Sequence, residues 1–274
     1  MLRARLATAA VAIPLLLAII FVGPTWGWGA LVVVISLLAV LEYLRLAFGD
    51  RVGPRVVGAV LGVALVASAV SASAPGLGLA AGLAAILPVA MGYVVLLRDD
   101  LQAALTDVGL IAVGLLYGGF MLPHFYWLRQ LPEGAAWVTF VIAIGMAGDT
   151  GGYFVGHAIG RHKLAPHLSP GKTIEGALGI VAASLVCAAL AKLILFPQHR
   201  WMEMFALAAI MSVVGQFGDL AESVMKRAFG AKESGALFPG HGGVLDRIDS
   251  LLFPVALVYY YLVASGASGA PRPC

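Results

Sequence analysis

Apolar positions along this chain come in repeated runs of about 17 to 25 residues, the length a helix needs to cross a bilayer. Nine such spans can be drawn, at roughly 7–23, 28–46, 56–73, 76–97, 102–122, 136–157, 173–196, 201–223 and 244–264. The pattern predicts an all-α polytopic membrane protein with about nine transmembrane helices. The third and fourth spans, rich in Gly and Pro, are the least sharply bounded. The opening MLRAR and its apolar run read as a retained first helix rather than a cleaved signal, because many more hydrophobic segments follow. The chain shows neither an internal repeat nor a separable soluble domain.

Charge adds orientation to this picture. Only 11% of the residues are charged, against 61% hydrophobic, so the placement of each cation matters more than the net charge of +3. With the N-terminus inside, Arg3, Arg5, Arg45, Arg51, Arg55, Arg98, Arg161, Lys163, Lys172, Lys226, Arg227, Lys232 and Arg247 gather on one face. That is 13 of the 17 Lys and Arg residues, leaving Arg129, Lys192, Arg200 and Arg272 for the other. The positive-inside rule makes the rich face cytoplasmic, and an odd number of spans then sends the C-terminus outside. Cys187, in an apolar run, and Cys274, at the terminus, suggest neither a disulfide framework nor a metal-binding pair.

The chain divides functionally into a hydrophobic scaffold of about five helices, residues 1–135, and a chemical region, residues 136–274, with loops 158–172 and 224–243 on the rich face. In the first loop's surroundings Gly148, Gly152, Gly156 and Gly160 recur every four residues, a strip suited to close helix packing. Asp149 interrupts it, and an ionised carboxylate at membrane depth costs about 2.5–3.5 kcal/mol, so it is a functional candidate. SPGKTIEG is not a Walker A loop, because Pro166 stands where that motif needs its first Gly. Ser169 and Pro170 read instead as helix-start signals, with Lys172 and Thr173 at the mouth of a span. Farther on, Asp219, Glu222, Ser223 and Lys226 share one helical face. A solvated helix end accounts for Glu222 and Lys226, but less well for Asp219, which lies deeper. FPGHGGVLDRID then joins a Gly/Pro turn to a helix carrying Asp246 and Asp249, and its glycine amides can face an anion. Asp219 and Asp246 are candidate Mg²⁺ ligands, and Lys226, Arg227, Lys232 and Arg247 candidate holders of polyphosphate oxygens. That inventory suits phosphoryl or nucleotidyl transfer.

The run SVMKRAFGAKESGALFPGHGGVLDRID, from Ser223 to Asp249, resembles the signature of the phosphatidate cytidylyltransferases, or CDP-diacylglycerol synthases. Lys226-Arg227, Lys232, Pro239, His241-Gly242-Gly243, Asp246-Arg247 and Asp249 all fall on it. Glu233 departs, standing where the family usually has Asp. The stretch from Asp149 to Gly176, with Lys163-Leu164, Ser169-Pro170, Lys172-Thr173 and Glu175-Gly176, is also similar to that family. The likeness covers most of the C-terminal half. A CDP-alcohol phosphatidyltransferase is a poorer match, since its Asp-Gly and Ala-Arg fingerprint is missing. An ion-coupled transporter predicts acids in both halves of the chain near the bilayer midplane.

The resemblance implies cytidylyl transfer from CTP to phosphatidate with Mg²⁺, leaving room for a second, monovalent cation. It implies catalytic roles for Asp219, Lys226, Arg227, Asp246, Arg247 and Asp249, and substrate contacts from Lys172, Thr173, Ser223, Lys232, His241, Gly242 and Gly243. Metal binding falls to Asp219 and Asp246, with Asp149 nearby. The expected setting is the bacterial inner membrane with the active site facing the cytoplasm. The partners are CTP, phosphatidate and the bilayer, with a homodimer allowed and no nucleic acid.

Overall fold

The computed structural model describes residues 13–71, 75–97, 100–235 and 242–266. Helix α1 is described over 13–21. It is followed by α2 (Thr25–Phe48), α3 (Val52–Ser71), α4 (Pro75–Leu97) and α5 (Leu101–Gly114). A π-helical turn, Leu115–Phe120, leads to the short α6 (His124–Gln130). Then come α7 (Gly134–Ile159), strands β1 (Lys163–Ala165) and β2 (Ser169–Thr173), α8 (Ile174–Ile194), α9 (Trp201–Ala228) and α10 (Leu245–Ser265).

Each span drawn from hydropathy overlaps a helix among the described residues. Among the described residues, seven helices are long and apolar enough to cross a membrane, while α4 holds a shorter apolar stretch, Ala80–Val95. The protein is therefore a helical, polytopic integral membrane protein. The run from Leu101 continues as one span to Gln130, past the break expected near 122. The π turn makes that continuation. It brings Gly118 against α2, where a Cβ would lie 3.2 Å from the Val40 amide nitrogen, and lets the Tyr117 hydroxyl donate to the Gly218 carbonyl on α9 at 3.0 Å.

Two local expectations need correction. Residues 158–172 are not all loop: β1 and β2 form an antiparallel hairpin, with Lys163 opposite Thr173. Ser169 and Pro170 accordingly lie in β2 and do not start the helix. The start is Thr173, whose Oγ1 accepts from the Gly176 amide at 3.1 Å and satisfies one of the orphan donors of α8. The second chemical loop is also shorter than expected, because α9 runs on to Ala228.

Glycines set the tight approach of α7 to α8. A Cβ on Gly152 would stand 2.6 Å from Ile180 Cγ1, and one on Gly148 would stand 3.0 Å from Ile180 Cγ2. A neighbouring row goes deeper, since a Cβ on Gly151 would meet the Gly179 carbonyl oxygen at 2.7 Å. Backbone cannot step aside as a side chain can. Gly151→Ala should therefore lower stability by about 1–3 kcal/mol, read as thermal unfolding in detergent. Gly109→Ala is the control. Its Cβ meets nothing within 4 Å, so the helix should be unchanged or gain up to about 1 kcal/mol.

Candidate active site

The chain's alternation brings one set of helix ends together. Arg227 Nε, near the end of α9, donates to the Leu168 carbonyl in the hairpin at 3.3 Å, so the two chemical loops meet. At the opposite end, His199 and Glu133 pair at 3.1 Å, joining the starts of α9 and α7.

The first cluster forms where α7, α9 and the end of β2 converge. Lys172 forms an ion pair with Asp219. Asp149 on α7 feels the charges of both Asp219 and Lys172, and Asp249 on α10 feels those of Asp219, Glu222 and Asp149. A cavity of about 220 Å³ is lined here by Asp149, Gly152, Lys172, Thr173, Gln216 and Asp219. The glycine row that tightens α7 against α8 also forms part of its wall. Thr173 is committed to its helix cap.

The second cluster centres on Lys226. Its ammonium pairs with Glu222 one turn back and with Asp246 Oδ1 on α10 at 2.6 Å. Glu222 is 1% exposed, so the solvated helix end expected for this pair is a buried one. Asp246 Oδ2 accepts from the Ser234 amide at 2.9 Å, the Ser234 hydroxyl at 2.8 Å and the Gly243 amide at 2.8 Å. Gly242 has φ 78°, and a Cβ there would lie 2.5 Å from Asp246 Oδ2. The turn needs glycine for both its backbone and its space.

The helix start at α10 is already occupied by a carboxylate of the protein. Glu42, from α2, accepts from the Val244 amide at 2.9 Å and the Leu245 amide at 3.0 Å. Of the turn's glycine amides expected to face a substrate anion, that of Gly243 donates to Asp246 instead, and the next two amides, Val244 and Leu245, are also turned inward. Sequence reasoning missed Glu42, although a lone carboxylate inside an apolar span is a signal in itself. It also missed Ser234, a small polar residue with no pattern around it.

The remaining candidates are more dispersed. Ser223 is buried on α9. Arg227 is exposed and donates to backbone carbonyls of Leu168 and Ala231. Arg247, Lys232 and Glu233 are exposed at the same end. His241 and Gly240 lie outside the described residues. Asp219 thus keeps company with Asp149 and Asp249, whereas Asp246 belongs to the Lys226 cluster. Among the described residues no group of three or more His, Cys, Asp or Glu side chains is gathered tightly enough to hold a metal ion.

Chemically, the site holds five carboxylates, Asp149, Asp219, Glu222, Asp246 and Asp249, with two partly buried lysines, Lys172 and Lys226. Such a set can bind hard cations through oxygen and phosphate through ammonium. Comparison with known proteins bears on the family. The chain is 35% identical over 181 residues to a phosphatidate cytidylyltransferase of Bacillus subtilis, covering 66% of each chain. It is 44% identical over 151 residues to that of Brucella suis, covering 55% of this chain and 56% of the other. With that of Staphylococcus epidermidis it shares 36% over 183 residues, 66% of this chain and 68% of the other. These alignments span less than two thirds of the Bacillus and Brucella proteins. A sequence profile of the cytidylyltransferase family matches far more, residues 3–265, and this chain belongs to that family.

Proposed function

We propose that the protein transfers the cytidylyl group of CTP to phosphatidate, giving CDP-diacylglycerol and diphosphate. The observation that carries this reading is the pairing of Lys172 with Asp219 and of Lys226 with Asp246 at one end of the helical bundle, in a member of the cytidylyltransferase family. A phosphatidate phosphate oxygen bonds to the α-phosphorus of CTP as the bond from that phosphorus to the β-phosphate oxygen breaks, and diphosphate leaves. The nucleophile is already an anion, so no general base is required, and positioning with charge neutralisation supplies the catalysis.

The lysines' present partners indicate how they act. Each ammonium is held by carboxylates at the place where phosphate oxygens would arrive, with its stem immobilised and its charge already directed. Phosphate competes for the ammonium hydrogens, and charge-assisted bonds to it are among the stronger hydrogen bonds. The glycine wall beside Lys172 leaves room for a substrate against backbone.

Two lysines cannot neutralise a triphosphate and five carboxylates together, and the donor set therefore suits Mg²⁺. Magnesium is commonly bound through one or two carboxylates plus substrate phosphates, so it does not require a three-residue cluster of protein ligands. Asp219 is the leading ligand, with Asp149 lining the same cavity. Asp246 retains acceptor capacity only on Oδ1, since Oδ2 accepts three hydrogen bonds. When bound there, Mg²⁺ supplies positive charge to the phosphate oxygens. A monovalent cation beside it is compatible with the surplus of carboxylates. The setting that fits is a bacterial inner membrane, with nine spans, the N-terminus and the site on the cytoplasmic side, and the C-terminus outside.

Purified protein in detergent with CTP, phosphatidate and Mg²⁺ should release diphosphate; no release would sink the proposal. Asp219→Asn should lower turnover by about 100-fold or more, roughly 2.7 kcal/mol of barrier, with little change in melting temperature. Asp246→Asn should lower both, because an amide nitrogen cannot replace the acceptor that Lys226 or the turn uses. Normal turnover across an Mg²⁺ titration in the Asp219 variant would remove it from the metal site.

Orientation has its own test. Cysteines placed at Lys163 and Lys232, in a background lacking Cys187 and Cys274, should react only with a reagent delivered to the cytoplasmic side. Labelling from outside in intact cells would reverse the assignment.

A further inference from the structure

Three arginines surround the junction of α2 and α3, and they are not equivalent. Arg51 is engaged by the buried Asp107. Arg55 donates one N–H to the Gly49 carbonyl at 3.0 Å, leaving its other donors available. The side chain of Arg45 makes no hydrogen bond or ion pair with any described residue. Arg45 and Arg55 line one cavity of about 1000 Å³, with Leu38, Leu41, Val56 and Ala59 among its apolar walls. Glu42 is the carboxylate among its described lining residues, and both its oxygens are engaged by the Val244 and Leu245 amides. The other wall is Ser234–Gly235, and Ser234 donates to Asp246.

The arrangement is amphipathic. Leu41, Val52 and Val56 are 49%, 65% and 53% exposed, so the apolar wall opens away from the protein. Two guanidinium groups with free donors lie at the same end of the bundle as the Lys226 cluster. We propose that this cavity holds the head of a diacyl phospholipid ending in a phosphate monoester. Arg45 and Arg55 grip the phosphate, and the first carbons of the acyl chains lie on Leu38, Leu41, Val56 and Ala59. Planar guanidinium groups match phosphate oxygens in pairs, whereas the aliphatic walls suit acyl chains better than a nucleotide. The proposal rests on the reading of the protein as a phosphatidate-using transferase and gives its lipid substrate a place, one hydrogen-bonded residue away from Asp246.

The test compares wild type, the double variant Arg45→Gln/Arg55→Gln and Val56→Trp, which narrows the cavity at its apolar wall without changing charge. Diphosphate release is measured against phosphatidate mole fraction in micelles at saturating CTP, and against CTP at saturating phosphatidate. Both variants should raise the apparent KM for phosphatidate about tenfold and leave that for CTP within about twofold. Phosphatidate retained through purification, read by native mass spectrometry, should fall in both variants and resist displacement from wild type by glycerol 3-phosphate. Unchanged KM and retention in folded variants would overturn the proposal and leave the arginines as topological anchors. A rise confined to the KM for CTP would assign them to the nucleotide instead, and displacement by glycerol 3-phosphate would replace the lipid site with a simple phosphate site. A wild-type protein that releases no diphosphate would defeat the transferase reading, while the retention measurement would still judge the cavity.

Discussion

Lys226 holds the site together. Its ammonium is shared by Glu222, within its own helix, and Asp246, across on α10, and all three side chains are largely withdrawn from water. Removing one member of a buried ion pair typically costs about 3–5 kcal/mol, because the survivor is left charged and unpaired. The constraint spreads outward from there. Asp246 uses its second oxygen to hold Ser234 and Gly243, which flank the glycine-rich segment, and Glu42 holds the next two amides from α2. A line of carboxylates thus ties α2, the turn, α10 and α9 into one unit.

That line blurs the division into scaffold and chemical region. Residues before 135 lack a recognisable motif, yet α2 provides the acid that caps α10, and Tyr117 in the π turn donates to the backbone of α9 beside Asp219. Both are polar groups sent from an apolar segment into the site's wall. Within a bilayer, an unsatisfied helix start is expensive because water cannot reach it, so a cap supplied by another helix fixes where α10 begins. The positions of Asp246 and Asp249 follow from that start.

The helices were legible because hydropathy records length and polarity, and a spanning helix is defined by both. The motif residues were legible because charge is rare in this chain, so Asp149, Lys172, Asp219, Lys226 and Asp246 stand out. Partnership was less legible. Asp219 and Asp246 look like a pair from their places at the ends of facing spans, but the fold gives the first to Lys172 and the second to Lys226. The hairpin was hidden because Ser, Pro and Gly also mark helix starts. Spacing correctly put Glu222 beside Lys226 but carried no information about depth. Glu42 was hardest of all: its partners are backbone amides more than 200 positions away, and amides leave no trace in a sequence.

The charge balance connects these contacts to the proposed catalysis. For the proposed transfer between two phosphate-bearing substrates a strongly basic site would be expected, yet carboxylates outnumber lysines in its inner part, while Arg227, Lys232 and Arg247 lie exposed at its edge. An inner site made wholly of cations would grip diphosphate as firmly as CTP, and uniform binding of that kind does not accelerate the chemical step. Lysines held by carboxylates resist this, because each contact with phosphate must displace an existing partner and the net gain is smaller. Product can then leave when its charge no longer matches the arrangement that favoured the transition state. The same pairs keep the buried lysines neutralised, so on the proposed function one set of contacts both stabilises the resting fold and moderates substrate binding.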